Sequence, residues 1–159
     1  MMTIMLNPKG RLGPGGFWTA SLILIAIGAI LSILPALNPV LAILGIVSLV
    51  LIYPWIVIWV KRLHDAGKSG WLFLVVFVLW LIVSLAVGAF ITAQFGPDTD
   101  PAAATDLAGM MAAMNETTRA TAIPNTIASV VVSLIFVFAG NALLKGDPGP
   151  NAYGPPPPR

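Results

Sequence analysis

The stretch Trp71–Ala93, WLFLVVFVLWLIVSLAVGAFITA, decides how this chain folds. It holds no Asp, Glu, Lys, Arg or His. A helix needs roughly 20 apolar residues to cross the hydrocarbon core of a bilayer. Lipid cannot solvate open backbone groups, so a run of this length reads as a transmembrane helix. Three other stretches meet the same test: Phe17 to about Leu37, Val40 to Val60, and Ile123 to Leu144. Composition agrees. The chain is 58% hydrophobic and 9% charged, against about 25% charged in soluble domains, too few charges to cover a soluble surface. The expected fold is an all-α integral membrane protein, a four-helix transmembrane bundle with a short amphipathic extracytoplasmic helix. Residues 1–16 then form an N-terminal segment, 17–144 the membrane domain and 145–159 a Pro/Gly-rich tail.

Lys9 and Arg11 precede the first apolar run, as they would in a signal peptide. That run exceeds the ~7–15 residues of a signal's apolar core and no A-x-A site follows, so it reads as a span. The absence of cysteine excludes disulfides, thiolate metal sites and a cysteine nucleophile. A formal charge of +2 is too small to suggest a nucleic-acid partner.

Asn38 and Pro39 form a tight turn, predicting an antiparallel hairpin of the first two spans. Pro54 should kink the second span or remove one backbone bond. Pro124 is expected in the first turn of the fourth, where proline costs little. Trp18, Trp59 and Trp71 fall at span ends, as in an interfacial belt, whereas Trp80 lies mid-span. Lys9, Arg11, Lys61, Arg62, Lys68, Lys145 and Arg159 gather on one side, with only Arg119 opposite. The positive-inside rule then places both termini in the cytoplasm. The pairs Gly28/Ser32, Ser84/Gly88 and Ser129/Ser133 would permit close helix approach. Gly140 and Asn141 mark a polar, flexible spot near the end of the last span.

The outer segment from Gln94 to Ala122 is too long for a simple turn. Asp100-Pro101 resembles an N-cap with proline at the first helical position. Leu107, Met110, Met111 and Met114 recur on one helical face, predicting a short amphipathic helix. The methionines read as a flexible apolar face rather than a soft-metal site. Asn115-Glu116-Thr117 matches a glycosylation acceptor without functional weight.

Between the second and third spans lies Lys61–Trp71, KRLHDAGKSGW, with the only histidine of the chain. Gly67 should supply the left-handed residue that ends the second helix. Ser69 should cap the third, Gly70 completes the turn, and Trp71 should fix the depth of that helix. Lys61 has His64 and Asp65 on its own helical face. The bland reading is a basic loop that sets topology and touches lipid phosphates. A catalytic reading would use His64 as general acid or base. Asp65 projects about 100° away from it, so it is not expected to hold His64 directly.

This run closely resembles the signature of a bacterial inner-membrane family catalogued as a domain of unknown function (DUF805): a basic pair, then L-H-D, then G-[KR]-S-G-W. Gly10-Arg11, followed by Phe17-Trp18, resembles the family's G-R-x-x-R-x-x-F-W, with Pro14 where the family has a second arginine. Asn151-Ala152-Tyr153-Gly154-Pro155 resembles its closing N-x-Y-G-x-x-P. The resemblance implies a small multi-span inner-membrane protein and supplies no activity.

All three matching segments fall on the basic side. The expectation is that they meet in one cytoplasmic face that binds an anionic lipid headgroup or a protein partner, or serves a homo-oligomer. Arg11, Lys61, Arg62, His64, Asp65, Lys68, Asn151 and Tyr153 are its candidate binding residues. No catalytic residue, metal or cofactor is expected. The alternatives are a small transporter or channel component and, behind it, a membrane enzyme using His64. The spans hold no ionisable groups of the kind that usually mark transport paths.

Overall fold

The computed structural model describes residues 5–98 and 106–157, and every regular element among them is helical. Helix α1 spans Pro14–Leu37, with Pro14 in its first turn and the Asn38 amide closing it on the Leu34 carbonyl. The Asn38 side chain accepts from the Val40 amide at 3.0 Å and turns the chain. A 3₁₀ stretch (Pro39–Ile43), the short helix α2 (Leu44–Ser48) and a second 3₁₀ turn (Leu49–Leu51) follow. They lead into α3, Ile52–Asp65. A 3₁₀ turn at Gly70–Leu72 opens α4, Phe73–Phe95, and α5 runs unbroken through Leu107–Leu143.

Three segments are long and apolar enough to cross a membrane: Pro14–Leu37, Gly70–Phe95 and Leu107–Leu143. The expected second span is not one continuous α-helix. Pro54 has no N–H to offer the Val50 carbonyl, and the turn before it tightens, with the Ile52 amide bonded to Leu49 instead. The fourth expected helix differs the other way. The residues expected as a separate amphipathic helix form its first turns, capped by Asp106, whose carboxylate accepts from the Gly109 amide at 2.7 Å. Asp100-Pro101 lies outside the described residues. Pro124 sits inside α5 rather than at its start. At 1.5 Å per residue α5 is about 55 Å long, well beyond a hydrocarbon core of about 30 Å.

Helix α1 runs antiparallel to α3 and α5, because its start meets the ends of both. Leu12, Phe17, Ala20, Leu24, Ile58, Trp59 and Val137 form one buried cluster there. Phe17 meets Trp59 edge-on, with ring centroids 4.9 Å apart. Trp59 is therefore a core residue and not part of an interfacial belt. Gly140 makes room for it: a Cβ at that position would lie 2.5 Å from the indole. Gly140 is thus a tight packing position, not a flexible one. Trp71 is 79% exposed, as a belt residue would be, and Trp80 stacks on Phe77. Gly28 and Gly88 bring no neighbour within 4 Å of a notional Cβ, so these small residues do not draw helices together. Ahead of α1, the Leu6 carbonyl accepts from the Tyr53 hydroxyl at 2.9 Å, so the N-terminal segment folds back along α3.

Candidate functional site

The end of α3 is fixed by its sequence. Gly67 adopts φ +65°, a conformation that glycine tolerates best. The Gly67 amide donates to the His64 carbonyl and the Lys68 amide to that of Leu63, so the last carbonyls of the helix are satisfied. Ser69 then caps the next turn, its hydroxyl accepting from the Trp71 amide at 3.4 Å. Gly70 must be small because a Cβ there would press on Val60 and on Nε2 of His64.

This termination leaves Asp65 pointing into the base of the bundle, where it is 2% exposed. Oδ1 accepts from Nε and Nη2 of Arg11 at 3.1 and 3.0 Å, and Oδ2 accepts from Nη1 of Arg62 at 2.6 Å. Two buried guanidiniums on one buried carboxylate leave a formal excess of one positive charge. Main-chain carbonyls absorb it. Arg11 donates to those of Asp65, Asp147 and Gly149, and Arg62 donates to that of Leu144. Asp65 and Leu144 lie at the C-terminal ends of α3 and α5, where the helix dipoles favour a cation. Burial pulls Arg62 below its ordinary pKa, and the charge and hydrogen bond of Asp65 oppose the shift.

The tail closes the arrangement. The Asp147 amide donates to the Asp65 carbonyl at 2.8 Å. Asn151 donates to the His64 carbonyl and to the Asp147 carboxylate, and it pairs with Gly154 in a tight turn. That turn lays Tyr153 flat on His64, with ring centroids 3.8 Å apart and planes 5° from parallel. Nδ1 of His64 faces the Gly10 carbonyl at 3.3 Å, so the proton on that nitrogen is the donor. Burial lowers the His64 pKa, and the Gly10 carbonyl partly restores it.

Of the residues singled out from sequence, Arg11, Arg62, His64, Asp65, Asn151 and Tyr153 meet here. Arg11, Arg62 and Asp65 do so as buried partners of one another, which removes them from any outward anion site. Asp65 pairs with the two arginines rather than serving Lys61 on its own helical face. Lys61 is buried, which lowers its pKa, and its carbonyl accepts from the Leu12 amide at 3.1 Å. Lys68 stands exposed beside the knot.

Sequence reading missed Asp147 and Gly146, and it undervalued Asn141. Asn141 accepts from Nε of Arg62 at 3.1 Å and donates to the Pro14 carbonyl, joining α5 to α3 and α1. A Cβ on Gly146 would collide with the Asp65 carboxylate. The available signal was that Asp65 and Asp147 are the only acidic residues on the basic side of the chain.

A helical protein with three membrane-length helices, tied at one end by a buried Arg–Asp–Arg knot, is the class that these features define. The chain belongs to the family described as protein of unknown function (DUF805), which it matches over residues 5–155. No significant match was found among curated proteins or solved structures.

Proposed function

We propose that this is a non-catalytic multi-pass protein of the bacterial inner membrane, with four helical passes and both termini in the cytoplasm, whose knotted end docks on anionic lipid headgroups. The apolar residues standing on its outer surface, among them Leu85 at 64% and Leu143 at 78% exposure, support a lipid environment. The observation that carries the docking is the position of the exposed cations. Lys9, Lys68 and Lys145 are all exposed. Each adjoins a residue of the knot: Gly10 against His64, Gly67 against Asp147, and Gly146 against Asp65. The buried ion cluster thus holds together three separate chain segments, each with an exposed lysine next to a knot contact. Lysines near a membrane surface contribute about 1 kcal/mol each towards anionic lipid.

An enzyme is less well supported, because Asp65 is taken by the arginines and Nδ1 of His64 by a main-chain carbonyl. A transport path is also less well supported, since Phe17, Trp59 and Val137 fill the bundle beside the knot. The test is reconstitution of the intact protein and of the Lys9→Gln, Lys68→Gln, Lys145→Gln triple variant with phosphatidylglycerol and phosphatidylcholine. Lipid retained on native purification should be enriched in phosphatidylglycerol for the parent and not for the variant. Equal enrichment in both sinks the docking. A partner protein captured through the same lysines, without lipid enrichment, would replace the lipid in this reading.

A further inference from the structure

At the end of the bundle opposite the knot, α1, α4 and α5 enclose a cavity of about 340 Å³. We infer that this cavity is a water-filled, one-ended binding vestibule for a small neutral polyol or the polyol portion of a lipid. Asn125 lies about 24 Å along α5 from Asn141 at 1.5 Å per residue, so the cavity and the knot stand at opposite ends of the span. Its walls are unusual for a chain so poor in polar groups. Ser84, Thr118, Asn125 and Ser129 line it, and Ser32 and Thr126 bond across it at 2.7 Å.

Among the described residues, the side chains of Asn125 and Ser84 make no hydrogen bond, although both are half-buried. A polar group withdrawn from water without a partner is costly. Within the span, lipid can supply none, so the partner must be water held in the cavity or a bound ligand. Hydroxyls and a carboxamide that both donate and accept, with no ionisable group among the lining residues, match a neutral hydroxylated ligand. An ion would remain unneutralised there, and an alkyl chain would leave the amide unpaired. The volume lies at the small end of the ~300–1,000 Å³ range of ligand pockets. Towards the knot the polar lining ends at Val132, and the next space along α5, walled by Phe73, Phe77, Trp80, Phe136 and Val137, is almost wholly apolar. The vestibule is therefore a site that ends within the span and not a continuous polar channel.

The chain has no cysteine, so introduced thiols report without background. Ser84→Cys and Leu85→Cys would be placed in proteoliposomes with a charged methanethiosulfonate on both faces, making the result independent of the proposed sidedness. Ser84→Cys should react at least about tenfold faster than Leu85→Cys, because a thiolate forms only where water reaches. Glycerol in the buffer, or monoolein in the bilayer, should slow Ser84→Cys and leave the exposed Glu116→Cys unchanged. Protection by glycerol identifies a free polyol, and protection by monoolein alone identifies a lipid-borne one. Equal rates at the two positions overturn the vestibule, and fast modification that neither compound slows overturns the ligand. Ser129→Cys, on the α5 wall, repeats the measurement if Ser84→Cys does not insert.

Discussion

Arg11 and Asp65, 54 positions apart in sequence, form a buried ion pair in which two guanidinium nitrogens converge on one carboxylate oxygen. The side chains are 1% and 3% exposed. Asp65 is the only carboxylate in the Arg11 and Arg62 ion pairs. Removing its charge would leave two buried cations facing each other. Asp65→Asn should cost about 3–5 kcal/mol, the range for breaking one side of a buried pair. Denaturant unfolding in micelles checks this. A loss below about 1 kcal/mol, within the range of exposed pairs, would mean that the knot is solvated.

The stacked His64 and Tyr153 rings give the tail a pH dependence with a defined sign. Burial favours neutral His64, so its folded pKa lies below the unfolded value of about 6.5. The unfolded chain then binds the extra proton first as pH falls. The contribution is fully present above about 6.5 and is lost as pH drops towards the folded value. The stability of the parent should therefore decline on acidification through that window more than that of His64→Gln. Identical profiles for the two proteins would show that the ring is not buried in solution.

Two glycines should be intolerant of a methyl group for different reasons. Gly67→Ala forces an L-residue into the left-handed region, at roughly 1–2 kcal/mol, and brings its Cβ to 2.7 Å from the Asp147 carboxylate. Gly146→Ala overpacks the space beside Asp65 and should cost about 1–3 kcal/mol. Gly28→Ala, with nothing within 4 Å, serves as the control and should be neutral or slightly stabilising. Thermal shifts of the three purified variants give the ranking directly.

Asn125→Leu should move stability the other way. The amide bonds no protein group among the described residues, so an alkyl side chain loses no bond inside the protein and gains from its own burial, about 1 kcal/mol. The same change should abolish any polyol protection of Ser84→Cys. Destabilisation by Asn125→Leu would indicate that the amide has a partner in the membrane.

The apolar runs were legible because length and lack of charge are properties of each segment alone. The C-terminal end of α3 and the turn before α4 were equally legible, since Gly67 and Ser69 act through bonds to residues at most five positions away. The sequence also located six of the knot residues without indicating their pairing. Asp65 chooses Arg11 over Lys61 because of how α1 and α5 converge, and no local pattern records that. The tightened turn at Leu49–Leu51 goes with the missing N–H at Pro54, but no local signal marks the 3₁₀ stretch at Pro39–Ile43. The burial of Trp59 depended on Gly140, far along the chain.

The order in which the chain is made gives the knot a further consequence. Arg11 donates to the carbonyl of Asp147, 136 positions later. A ribosome therefore exposes Arg11 and Asp65 long before Leu144, Asp147, Gly149 and Asn151 exist to complete their shell. Until α5 is in place the two guanidiniums lack their main-chain acceptors and must keep water, so the base of the bundle stays open. That floor is thus the last part of the fold to seal, and a chain whose last helix is misplaced keeps solvated arginines there.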